Sequence, residues 1–132
     1  MASIFSRIVS GEIPCHKIAE TDEFLAFLDV MPLVQGHVLV IPKKEVDYIF
    51  DLDTAAYTAL WAFAQEVAKG LKKAIPCKRI GVAVIGLEVP HAHIHLVPMN
   101  EVGDINFTRP KLKPTQEELA ETAEKIRTHT VA

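Results

Sequence analysis

Residues His91 to Pro98 read HAHIHLVP, with histidines at 91, 93 and 95 and the apolar residues Ala92 and Ile94 between them. In an extended chain successive side chains point to opposite faces, so the three imidazoles share one face while Ala92, Ile94 and Leu96 share the other. A core strand gains nothing from such a row, because every neutral imidazole carries a donor and an acceptor that must be satisfied once water is excluded. Half of the chain's six histidines set in register therefore have a common chemical reason, which is metal ligation, proton chemistry, or holding an anion. His16 and His129 read as plain surface residues.

The elements that must position this row are short. Ile4 to Val9 reads as a helix or turn ending at Ser10-Gly11. His16–Ala19, Phe24–Asp29 and His37–Ile41 are β-rich runs separated by turn signals at Glu20–Glu23 and Pro32–Gly36, the pattern of an antiparallel meander. From Thr54 to Ile75, apolar residues Tyr57, Leu60, Trp61, Ala64, Val67, Ala68 and Leu71 recur at helical spacing behind the candidate N-caps Asp51 and Asp53, and Pro76 ends the run. The Trp61 stripe reads as core or dimer contact. Arg79 to Ile85 is a further strand, Gly86 to Pro90 a loop, and His91 to Val97 the histidine strand returning beside it. After Pro114 a capping box, Thr115 with Glu118, opens a polar helix running to about Arg127. Its apolar face, Leu119, Ala123 and Ile126, is thin and predicts weak docking at the periphery.

Composition bounds the function. At 132 residues the chain is one domain, and 49% hydrophobic with 23% charged residues excludes disorder. Fourteen basic against 17 acidic residues give a net charge of −3, which offers no footprint for a nucleic-acid polymer but does not exclude a mononucleotide. Neither a signal-peptide pattern nor a membrane-length apolar window is present, and Cys15 and Cys77 lie far apart, outside any metal-type spacing. The expectation is a cytoplasmic protein with free thiols.

HAHIHLV resembles the His-x-His-x-His signature of the histidine-triad (HIT) family, and FLAFLDVMPLVQGHVLVIPKKEV and IFSRIVSGEIP are similar to two further segments of the same proteins. The likeness covers roughly residues 3–100, leaving 101–132 as a C-terminal extension, and is nearest to the Hint-like nucleotide-binding branch. It implies an α+β fold, a five-stranded antiparallel sheet carrying one long helix, a short N-terminal helix and an added C-terminal helix, with two subunits forming a homodimer. It also implies a purine nucleotide or nucleoside phosphoramidate whose α-phosphate lies over the histidines, and a covalent nucleotidyl intermediate on the middle one, His93. By position, Ile4, Phe5, Ile8 and Phe27 line the base pocket and Asp29 accepts from the ribose hydroxyls. His95 and the backbone amides around Val89 donate to phosphate oxygens, His91 orients, and His37 either joins the row or is a satisfied strand-end histidine.

Two departures from the family pattern matter. Bacterial relatives often hold a structural zinc where this chain has Ser3, Ser6, Glu45 and His91, and serines are poor zinc ligands, so neither a metal nor a cofactor is expected. The loop before the triad, GLEVPH, puts Leu87 and Glu88 where relatives carry Gln and a hydroxyl residue, so Glu88 either donates a proton or faces away from the phosphate. Two rival readings stand beside the nucleotide hydrolase or nucleotidyl transferase that the resemblance implies. One is a nucleotide-binding module with little catalysis; the more distant one is a metal-dependent hydrolase built on the His-x-His pair.

Overall fold

The computed structural model describes residues 2–130. Helix α1 (Ile4–Val9) begins at Ser3, whose hydroxyl accepts the Ser6 amide at 3.0 Å. Strands β1 (Lys17–Glu20), β2 (Phe24–Leu28) and β3 (Val38–Pro42) form the predicted meander. A 3-10 turn at Ile49–Asp51 leads into α2 (Thr54–Ala74), with Asp53 accepting the Ala56 amide at 2.8 Å as its N-cap. The helix stops at Ile75, which is extended as the residue before a proline tends to be. Strands β4 (Arg79–Ala83) and β5 (Ile94–Met99) complete an antiparallel sheet of order β1-β2-β3-β5-β4, and α3 (Gln116–Arg127) follows.

Every residue of β2 and β3 is buried, because both faces of the sheet are covered. On one face Ala26, Leu28, Val38, Val40, Ile94 and Leu96 join Leu60, Val67 and Leu71 of α2 in one apolar cluster. On the other, Leu25, Phe27, Leu39 and Ile41 gather around Phe5 of α1. The histidines share this second side: His95 stands across from Leu39 in the β3–β5 ladder. Gly36, at φ +89°, turns the chain immediately before His37, and a Cβ there would meet Ile75 Cγ1 at 2.9 Å.

Two elements differ from the sequence expectation. The histidine strand starts at Ile94, not His91, so His91 and His93 lie on irregular backbone. Pro42 at the end of β3 has no N–H to continue the ladder, and Ala92 N–H turns to the Val46 carbonyl at 2.7 Å. Helix α3 is no peripheral tail: Leu119, Ala123 and Ile126 are 4%, 1% and 0% exposed and belong to the main core. Its apolar stripe is narrow, yet all of it faces the groove beside β1 and α2, while Arg127 donates to the Lys17 carbonyl at 2.6 Å.

Candidate active site

Hydrogen bonds to the backbone fix the protons of the histidine rings. His93 Nδ1 lies 2.7 Å from the His91 carbonyl, which can only accept, so Nδ1 carries the proton and Nε2 keeps a free lone pair. The buried Leu33 amide donates to His37 Nδ1 at 3.0 Å, which places the His37 proton on Nε2. That proton is donated to His95 Nδ1, 3.0 Å away, leaving His95 with an Nε2–H donor. His91 donates from Nε2 to the Pro42 carbonyl at 2.7 Å and accepts the Ser3 hydroxyl at Nδ1, at 2.8 Å. In their neutral forms the four rings thus present one acceptor nitrogen, on His93, and one donor, on His95.

The rings lie side by side, His93 4.9 Å from His95 and His95 5.2 Å from His37 between centroids. Phe5 packs edge-on against His93 at 5.0 Å and His91 at 5.8 Å. Burial, aided by the positive Lys111 and by His93, lowers the His37 pKa to about 4. Burial together with His37 and His93 lowers His95 to about 3. His91 is lowered too, by burial first, with the Pro42 carbonyl and Glu45 opposing. His91 is wholly buried, with both ring nitrogens engaged by Ser3 and Pro42.

The other expected residues divide. Phe5, Ile8, Phe27 and Val89 come together in the second apolar cluster. Ile4 lies outside that cluster and is 48% exposed. Asp29 does reach the row: one carboxylate oxygen lies 3.8 Å from His37 Nε2, and the other accepts the Met31 amide at 2.9 Å. Burial raises its pKa against the pull of that amide, His93 and Lys111. Glu88 is exposed and does not line the cavity of about 330 Å³ beside His93, whose walls include Tyr48, Phe50, Trp61, Ile85 and Leu87. Among the described residues, Trp61 Nε1 is buried without a hydrogen-bond partner. Leu33 and Phe107 join the site without a sequence signal: the first acts through its backbone, and the second packs 4.7 Å from His95 between ring centroids, flanked by the polar Asn106, Thr108 and Arg109. Neither leaves a mark in residue-type spacing.

A family model described as the HIT domain matches residues 10–102, well over half of the chain. The chain belongs to the HIT family. It is 32% identical over 128 residues to adenosine 5'-monophosphoramidase hnt1 of Schizosaccharomyces pombe, covering 96% of both chains. It is 34% identical over 101 residues to adenosine 5'-monophosphoramidase HNT1 of Saccharomyces cerevisiae, covering 76% of this chain and 64% of that one. A Hit-like protein of Bartonella henselae described as involved in cell-cycle regulation superposes with a TM-score of 0.84 at 33% identity, covering 96% of this chain and 95% of that one. A zinc-bound histidine triad family protein of Mycobacterium smegmatis does so with a TM-score of 0.83 at 27% identity, covering 98% and 93%.

Zinc does not fit the corresponding residues of this HIT chain. Ser3, Ser6, Glu45 and His91 do meet, but as a closed hydrogen-bond set: Glu45 accepts the Ser3 amide at 2.7 Å and the Ser6 hydroxyl at 2.6 Å, and both His91 nitrogens are engaged. These donors, the Ser6 hydroxyl first, hold the Glu45 carboxyl at about 2. Asp29, His37 and His95 are close enough for a metal ion, with ligand atoms within 4.8 Å of one another. Ligation through His37 Nε2 would force the proton onto Nδ1, against the Leu33 N–H at 3.0 Å. Two donors would then face each other in a buried site. The geometry favours proton chemistry on the row.

Proposed function

We propose that this HIT protein hydrolyses purine nucleoside phosphoramidates or related nucleotides at the α-phosphorus, through a nucleotidyl-His93 intermediate. The observation that carries the reading is the pair of opposed tautomers: His93 held with Nε2 free by the His91 carbonyl, and His95 held as an Nε2 donor by His37. A neutral imidazole with a fixed lone pair is a competent nucleophile near neutral pH. The likeness to two named adenosine 5'-monophosphoramidases supports the substrate class.

In the first step the bond from phosphorus to His93 Nε2 forms as the bond to the leaving amine breaks, and the amine departs with one added proton. His95 Nε2–H donates to a non-bridging oxygen, where charge on the transferring group must be stabilised. Glu88, the titratable side chain of the 84–90 loop, is exposed and outside the cavity, so the leaving amine takes its proton from solvent. Water then attacks phosphorus, the bond to Nε2 breaks, the water's proton passes to solvent in place of the one the amine took, and His93 returns to its neutral form. Asp29 holds the ribose hydroxyls and Phe5, Ile8 and Phe27 the base. The reading includes a homodimer in the cytoplasm. No helix among the described residues is long and apolar enough to cross a membrane.

Acid-stable trapping is unsuitable for a phosphorus–nitrogen bond, so the test is rapid denaturing quench after mixing with substrate labelled at the α-phosphate. Label should stay on wild type and be lost from His93→Ala. Equal labelling of both overturns the assignment. One observation favours a second reading, a binding module with little turnover: the loop before the triad presents Leu87, 88% exposed, and Glu88 where a hydroxyl is usual. Tight nucleotide binding with a hydrolysis rate unchanged by His93→Ala would select it.

A further inference from the structure

The segment after β5 is solvent-exposed at Asn106 and from Thr108 to Pro110, yet Phe107 between them is half-buried. Its ring lies 4.7 Å from His95 and 6.2 Å from His37 between centroids, edge-to-face with each, at interplanar angles of 68° and 75°. The segment is fastened on both sides of that ring. Asn106 Oδ1 accepts from the Thr108 amide at 3.0 Å and its hydroxyl at 2.7 Å. Lys111 Nζ donates to the Phe107 carbonyl at 2.6 Å, and the Leu112 amide to the Pro32 carbonyl at 2.9 Å. Pro32 directly precedes Leu33, the residue that sets the His37 tautomer. Ring and relay therefore hang from one joint.

We propose that Phe107 is a positioning residue, which clamps the His37–His95 pair in the orientation that turns His95 Nε2–H toward the phosphoryl group and keeps water off their shared hydrogen bond. The row has a phenylalanine at each end: Phe5 from α1 on His91 and His93, and Phe107 on His95 and His37. Phe107 lies beyond residue 102, where the matched HIT domain ends, so the extension supplies part of the site's wall. Without the ring, water would reach the pair and compete for His95 Nδ1, and the donor on Nε2 would no longer be enforced. The charged and titratable groups facing His95 are His37, His93 and Asp29, whose carboxylate lies within 4.8 Å of the His95 ring, with Lys111 acting on His37 and Asp29.

The kinetic consequence rests on the nucleotidyl-transfer reading; the tautomer does not. The test is therefore nitrogen-15 NMR of the histidine rings in the full chain, wild type against Phe107→Ala, Phe107→Leu and Phe107→Tyr, alongside turnover of adenosine 5'-phosphoramidate. In Phe107→Ala, His95 should lose its single-tautomer signature and protonate at least about one pH unit higher than in wild type. In the same variant kcat should fall about tenfold with KM little changed, and Phe107→Tyr should restore both readouts. Should the alanine variant not fold, Phe107→Leu decides, since it keeps apolar bulk without the ring edge, and tautomer mixing is expected there as well. A folded alanine or leucine variant whose His95 keeps the wild-type tautomer and titration overturns the proposal. Changed ring signals in a protein with no wild-type turnover would support the clamp and sink the hydrolase instead.

Discussion

At the scale of single residues, the site depends on protons placed by backbone groups. Leu33 N–H donates to His37 Nδ1, and from that contact the protons of two rings follow. His37→Leu should leave His95 free to take either tautomer and lower kcat by about 10- to 100-fold, the usual size of losing an orienting partner. His37→Gln, whose amide can still donate toward His95, should recover part of it; indistinguishable rates for the two variants would contradict the relay. The same burial predicts a pH dependence of stability. With pKa values near 4 and 3, folded His37 and His95 refuse protons that the unfolded chain accepts below about 6.5. Their contribution to stability is complete above that pH and is lost as pH falls from there toward the folded values. Between pH 7 and 5, these two rings should lower the unfolding free energy in urea by on the order of 4 kcal/mol, and by about half that in His37→Gln. The alternating histidines made the row legible in the sequence. The relay was not, because a backbone amide donor has no residue-type signature.

At the scale of elements, α3 shows how a thin stripe can carry weight. Ile126 is fully buried against a core that α2 and the sheet leave open, so Ile126→Ala should cost about 2–4 kcal/mol, read as a lower Tm. A cost well under 1 kcal/mol would return the helix to the periphery. Sequence periodicity reported the width of that apolar face but not how completely the neighbouring elements would enclose it. The reverse holds at α1, where the capping serine was not singled out as a cap but doubles as the partner of His91. Because Ser3, Ser6, Glu45 and His91 already meet, Ser3→Cys with Ser6→Cys and Glu45→His should create a zinc site. Elemental analysis should find about one zinc per chain in the triple variant and none in wild type. The boundaries of β1 to β3 and α2 followed from turn residues and periodicity to within a residue or so. The start of β5 did not, since it is set by what Pro42 lacks in a strand distant in sequence.

At the scale of the whole molecule, the sheet ends at β4, whose outer backbone edge is unpaired among the described residues. Only Arg79 guards this strand with charge; Gly81, Val82 and Ala83 do not, and Val82 is 49% exposed. Close by in sequence, Ile85 and Leu87 are 47% and 88% exposed, and Leu87 lines the same cavity as Tyr48, Phe50 and His93. An edge uncharged apart from Arg79, close in sequence to an apolar rim, is a template for a second strand, which a second copy of this chain would supply by two-fold symmetry. That pairing was implied by family resemblance alone; nothing in the spacing of the residues specified it. The prediction is that sedimentation finds twice the mass of one chain, and that Val82→Lys, which puts a charge into the pairing, shifts the population to single chains. Because the cavity beside His93 borders this face, monomerisation should also lower turnover, with the ring-proton signature of the histidines unchanged. A wild-type protein that sediments as a single chain at every concentration would leave β4 as a plain edge and His93 with a site built from one chain.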